Sequence, residues 1–169
     1  MVQQMKAALL IIIAVFLLSA CTTSFKEEQK KIISSVETAM KKKPSKSNTQ
    51  NEVIQYKLPL GFEIKKETPN NIILHNGSKT YILFYNQHEN SLSQVVFQST
   101  LQHKKEYDVK QTFKEKDKFG YLLIEKLSDK KNEMTVGIGG VKMTTEAKTD
   151  ILASEATTMV DIVNSVSVK

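Results

Sequence analysis

The chain is 169 residues long, with 24 basic and 18 acidic residues and a formal net charge of +6. Every basic residue is lysine. The guanidinium fork that grips phosphates and base edges at two points is therefore absent, and nucleic acid is excluded as a partner. Cys21 is the only cysteine, which excludes an internal disulfide.

Residues 1–20 read as a lipoprotein signal peptide. Lys6 supplies the positive n-region, residues 7–18 form an apolar h-region, and Leu18-Ser19-Ala20-Cys21 resembles the bacterial lipobox. In that chemistry the cysteine thiol takes up diacylglycerol, and a dedicated peptidase recognises Leu18, Ser19 and Ala20 and cuts ahead of Cys21. An uncleaved spanning helix is the competing reading. Residues 7–20 would reach roughly 21 Å as a helix, short of the roughly 30 Å hydrocarbon core. An ordinary secretory signal would leave a free cysteine without a role. The expectation is a protein held to membrane lipid through acylated Cys21 on the extracytoplasmic side. Two acyl chains make such an anchor stable, since each buried CH₂ contributes roughly 0.8 kcal/mol. Acylation also removes the one thiol, so neither thiol catalysis nor a cysteine-ligated metal is expected. The lysine-, isoleucine- and asparagine-rich composition suggests an AT-rich genome and a Gram-positive host, with the anchor in the outer leaflet.

Residues 21–52 read as a lipid-anchored basic stalk and linker. Phe25, Ile32, Ile33, Val36, Ala39 and Met40 recur at helical spacing among Lys26, Lys30, Lys31, Lys41, Lys42 and Lys43. Pro44 ends the pattern, and residues 45–52 are polar and turn-prone. Such a helix can lie on anionic headgroups, serve as a spacer, or pack on the domain, and the stripe fits all three. Fully extended, a stalk of this length would reach roughly 100 Å.

A single domain is expected over residues 53–169. Residues 53–57 read as a strand, Leu58-Pro59-Leu60-Gly61 as punctuation, and Phe62-Glu63-Ile64-Lys65 as its continuation. Ile72-Ile73-Leu74-His75 and residues 80–85 flank Asn76-Gly77, which favours a type I′ hairpin, with Ser78-Lys79 lengthening the loop. Residues 81–85 are apolar on both parities, which predicts a strand covered on both faces. Over residues 91–102, Leu92, Val95, Val96 and Ser99 follow helical spacing behind Ser91 as N-cap, although Val95-Val96-Phe97 favours strand; helix is the expectation. Residues 107–114, 119–127 and 133–143 predict three strands joined by short turns, an antiparallel meander. Leu152, Ala156, Met159, Val160 and Val163 predict a closing helix, capped by Thr149 or Asp150 and laid over the open face of the sheet.

This order of elements is that of an α+β fold. The Tyr-x-Leu-Pro-x-Gly-Phe opening (Tyr56 and Leu58 through Phe62), the early hairpin, the meander and the closing Ile162-Val163-Asn164-Ser165-Val166 resemble the PsbP/DcrB-like αβ sandwich over residues 53–168. The members of that family include small bacterial lipoproteins. The resemblance implies helices packed on an antiparallel sheet and an accessory, assembly or binding role, and it supplies no catalytic residues.

Catalytic and metal-binding patterns are not found. His75, His88 and His103 lack ligand spacing, and His103 with Glu106 would share a helix face without completing a motif. No metal and no cofactor are expected. Gly137, Gly139 and Gly140 lie within the strand expected over residues 133–143, not between a strand and a helix N-terminus as a phosphate cradle requires. They read as bare backbone for close packing, or for the approach of a ligand. No Gly-x-Ser-x-Gly elbow occurs, and the acids are interleaved with lysines, as in Lys114-Glu115-Lys116-Asp117-Lys118. The expectation is a non-enzymatic accessory or binding module of the cell envelope with an envelope protein partner. A small-molecule or lipid carrier would need a pocket between sheet and terminal helix, and a hydrolase would need scattered carboxylates gathered in a cleft.

Overall fold

The computed structural model describes residues 25–103 and 106–169. The expected signal peptide, with Leu18, Ser19 and Ala20 as expected recognition residues, and the expected acylation site Cys21 lie outside the described residues. In chain order the elements are α1 (Phe25–Met40), β1 (Thr49–Gln50), β2 (Ile54–Tyr56), β3 (Glu63–Thr68), β4 (Asn71–Asn76), β5 (Lys79–Tyr85) and α2 (Val95–His103). There follow β6 (Val109–Lys114), β7 (Phe119–Lys126), β8 (Lys131–Ile138), β9 (Val141–Lys148), a 3₁₀ turn (Thr149–Ile151), α3 (Leu152–Ser165) and β10 (Ser167–Val168). Seven strands form one antiparallel sheet in the order β3-β4-β5-β9-β8-β7-β6, and β1-β2-β10 form a small second sheet. The fold is α+β, helices packed on antiparallel sheets.

Strand periodicity places one parity of side chains on the inner face. Tyr81 and Leu83 on β5, Met143 on β9, Met134 and Val136 on β8, and Leu122 and Ile124 on β7 are all fully buried there. The helices α1 and α3 cover that face. They run side by side in the same direction: Glu28 meets Ala153 at one end, and Lys42 meets Asn164 at the other.

Of the three roles open to the helix within the stalk expected over residues 21–52, packing on the domain is the one found. Ile32, Val36, Ala39 and Met40 of α1 belong to the main core, and the β1–β2 pairing ties residues 49–50 to the domain. A moderate apolar stripe finds its partner in α3 and in the inner face of β6 and β7. Burying a side chain such as Ile32 or Val36 contributes roughly 1.5–3 kcal/mol, which a free spacer would forgo. The packed region therefore includes Phe25–Met40, ahead of the boundary expected at Val53.

Other expectations change in detail. The early hairpin turns on Gly77-Ser78, because Asn76 pairs with Lys79, and only Gly77 of the two takes positive φ (+59°). The segment 133–143 is not one strand but the end of β8, a two-residue turn at Gly139-Gly140, and the start of β9. The helix expected at 91–102 is α2, and the Ser93 hydroxyl rather than Ser91 accepts the Val95 N–H at 3.1 Å. Neither Thr149 nor Asp150 caps α3, which has no side-chain cap from its N-cap residue. Instead Glu28, buried on α1, accepts the Ala153 N–H at 3.3 Å, placing a carboxylate where the helix dipole is positive.

The outer face of the sheet is only partly covered. Phe97 of α2 sits against Phe119 and Tyr121, with ring centroids 5.4 and 4.9 Å apart, and Leu123 completes this second cluster. β7 is thus buried on both faces. β5 is not: Tyr81, Leu83 and Tyr85 face inward, while Ile82 is 45% exposed. The two-sided cover expected for residues 81–85 fails because α2 is nine residues long and lies over β7.

Candidate functional site

At the end of the molecule where α1 and α3 finish, the chain leaves a cleft of about 340 Å³. Its apolar lining comes from Ile54 on β2, Ile138 and Val141 at the β8–β9 turn, and Val163 and Val166 at the end of α3. Its polar rim is the loop 86–91, the β6–β7 turn with Asp117 and Lys118, and Asn164. This is the position between sheet and terminal helix that a carrier would require.

The loop 86–91 is held by backbone bonds. Asn86 N–H donates to Gly140 O at 2.9 Å, Gly140 N–H to Asn90 O at 3.2 Å, and Phe119 N–H to Ser91 O at 2.8 Å. The Ser91 hydroxyl donates to Asp117 O at 2.7 Å, so the loop also clamps the β6–β7 turn. Two Asx turns shape it: Asn86 Oδ1 accepts the His88 N–H at 3.1 Å, and Asn90 Oδ1 accepts the Leu92 N–H at 2.9 Å. Each asparagine thereby engages its oxygen and retains its NH₂ as a donor. Glu89 lines the cleft too, and its carboxylate accepts a hydrogen bond from the Ser93 hydroxyl.

Lys118 is the unusual group. It is only 8% exposed, and its ammonium donates to Asn164 Oδ1 at 2.9 Å. That partner is neutral, whereas lysine is almost never fully buried unless paired with an opposite charge. Asn164 is held in this orientation because its Nδ2 donates to Lys42 O at 3.1 Å, leaving Oδ1 to face the ammonium. Lysine carries three donors, and this geometry satisfies one of them.

Among the residues expected to matter, the glycines are accounted for by protein. A Cβ at Gly137 would enter the Tyr121 ring, one at Gly139 would collide with Asn90 O, and one at Gly140 would lie 2.6 Å from Glu89 Cβ. Gly139 also takes φ +54°, as the first residue of its turn. Gly140 alone of the three lines the cleft, and the bare backbone is approached by loop 86–91 and by Tyr121. His75 lies on β4 against the Thr80 hydroxyl at 3.2 Å, His88 is in loop 86–91, and His103 ends α2. No cluster of three metal-ligating side chains forms among the described residues. Sequence reasoning missed Lys118 and Asn164. The signal was parity: Lys118 shares the even register of Gly120, Leu122 and Ile124, which face inward, although its neighbours read as a solvated turn.

No protein-family model and no curated protein sequence matches the chain. Among solved structures it is similar to a protein from Bacteroides thetaiotaomicron VPI-5482, at 9% identity and a TM-score of 0.38. The alignment covers 69% of this chain and 45% of that one, so this chain spans under half of its length. A likeness this slight bears on neither family nor function.

Proposed function

We propose that the protein is a bacterial envelope lipoprotein, anchored by diacylglycerol on Cys21, whose α+β domain is a non-enzymatic accessory or binding module. The observation that carries the reading is Leu18-Ser19-Ala20-Cys21 directly behind an apolar h-region, with the packed domain beginning four residues later at Phe25. Four residues span at most about 14 Å, so the tether is short. The N-terminal end of α1 then faces the bilayer, and α1, about 24 Å long at 1.5 Å per residue, carries the cleft to the far end. An envelope partner or ligand meets the cleft from the side away from the lipid. The resemblance of residues 53–168 to the PsbP/DcrB-like family agrees with an accessory role. The cleft gives specific support to a second reading, a carrier of small molecules.

Metabolic labelling with palmitate tests the anchor. The wild-type protein is expected to take up label and fractionate with membranes, and Cys21→Ala to lose the label and leave the membrane fraction. Label retained by Cys21→Ala would sink the lipoprotein reading. In-cell crosslinking of the lipidated protein then separates the two readings, since an accessory module captures a defined envelope protein and a carrier captures none.

A further inference from the structure

Lys118 is a cation held nine-tenths out of solvent at the wall of a cleft, with a neutral amide as its hydrogen-bond partner. Taking an ammonium out of water without an opposite charge is costly unless its remaining donors are met. Several other polar groups of the cleft have donors to offer, while its two acids, Glu89 and Asp117, belong to the rim. Asn86 and Asn90 each engage one lone pair of the amide oxygen in an Asx turn, and each has an NH₂ to donate. The Tyr85 hydroxyl, which also lines the cleft, accepts from Asn51 Nδ2 at 3.4 Å and keeps its own proton to donate. Donors beside a buried cation whose hydrogen-bond partner is neutral suit an acceptor carrying negative charge.

We infer that the cleft binds a small monocarboxylate, its carboxylate on Lys118 and its apolar body against Ile138, Val141 and Val163. Three observations select this class. The remaining N–H groups of Lys118 form charge-assisted bonds with a carboxylate that strengthen as water is excluded. Glu89 and Asp117 on the rim oppose a second negative charge, which disfavours a phosphate dianion. The apolar walls suit a hydrocarbon body, and the volume of about 340 Å³ has room for one. Asn164 is a positioning residue, since it aims the ammonium while tying α3 to the end of α1.

The inference deepens the reading of the domain as a binding module and rests on it. Its test uses the purified full-length chain in detergent, so the palmitate result and this one succeed or fail separately. The probes are isobutyrate, its uncharged isostere isobutyramide, and inorganic phosphate, each titrated against the protein by saturation-transfer or chemical-shift NMR. Isobutyrate is expected to bind, with isobutyramide and phosphate each about tenfold weaker or worse. Lys118→Met, which removes the ammonium and keeps an unbranched stem one atom shorter, is expected to weaken isobutyrate about tenfold or more. Asn164→Asp supplies an internal carboxylate to the ammonium and is expected to lower binding with the lysine still present. Circular dichroism checks that both variants fold, and the wild-type comparison of the three probes decides the matter if one does not. Isobutyramide binding as tightly as isobutyrate, phosphate binding more tightly, no binding at all, or an unaltered affinity in folded Lys118→Met would each overturn the inference.

Discussion

Gly139 and Gly120 are both crowded, but by neighbours of different stiffness. At Gly139 an added Cβ meets the backbone of Asn90 and Ser91, and the residue already sits at φ +54°. At Gly120 the nearest atoms are the thioether end of Met40, which can swing away. Gly139→Ala is expected to lose about 1–3 kcal/mol from backbone strain alone, with a further loss as loop 86–91 is displaced. Gly120→Ala should lose less, because Met40 yields. Urea denaturation of the two variants checks the order, and equal losses would count against this account. At the same scale Lys118 shows what the sequence concealed. Its register pointed inward, but a lysine between two acids and a strand is ordinarily solvated, and nothing in the local pattern places Asn164 beside it.

Among the elements, α1 is the one whose destination was least legible. Its stripe was plain in the sequence, yet a stripe identifies the face a helix buries and says nothing of what it is buried against. The partner, α3, lies more than a hundred positions further along the chain, and the contact between Glu28 and Ala153 spans that whole separation. The α1–α3 contact leads to a direct expectation. Ile32→Ala should destabilise the domain by about 2–5 kcal/mol, as for other buried isoleucines, and Glu28→Ala by about 1–3 kcal/mol through the lost charged hydrogen bond at the start of α3. Both are read from denaturation midpoints, and a stability indifferent to Ile32→Ala would restore the free stalk. The β8–β9 hairpin was hidden for a related reason. Its turn has two residues and is flanked by apolar side chains, so the run looked continuous. The inward parity nevertheless switches from even at Met134 and Val136 to odd at Met143 and Thr145, and that switch marks the turn. Strands β2 to β7 and the closing helix were legible because their apolar patterns are bounded by polar turns, whereas β1 and β10, two residues each, carry no period to read.

At the scale of the whole molecule, the core is unusual in burying three phenols. Tyr56, Tyr81 and Tyr121 are each fully buried, one beneath the small sheet, one on the inner face of the large sheet, and one on the outer face under α2. Among the described residues the Tyr56 hydroxyl has no hydrogen-bond partner, and burial pushes its pKa up to about 12. Burial also raises Tyr81, with a further push from the Glu155 carboxylate that accepts its proton at 2.6 Å, and it raises Tyr121. An unfolded phenol ionises near pH 10. Above that pH the unfolded chain has released these protons while the folded chain retains them. The unfolded state therefore binds fewer protons, and stability must fall as pH rises. The contribution of the three phenols is fully present below about pH 10 and drains away as the pH climbs toward the folded values. Below that range these groups are expected to give stability no dependence on pH. Tyr56→Phe removes a buried hydroxyl that lacks a partner, so it should leave stability at neutral pH unchanged or higher and make the alkaline loss shallower. The measurement is a pH series of thermal midpoints for the two proteins, run beside the ultraviolet absorbance of phenolate. Ionisation of the buried tyrosines should coincide with loss of circular dichroism. If all five tyrosines of the chain ionised while the fold remained intact, the three phenols would not be sealed in the core as described.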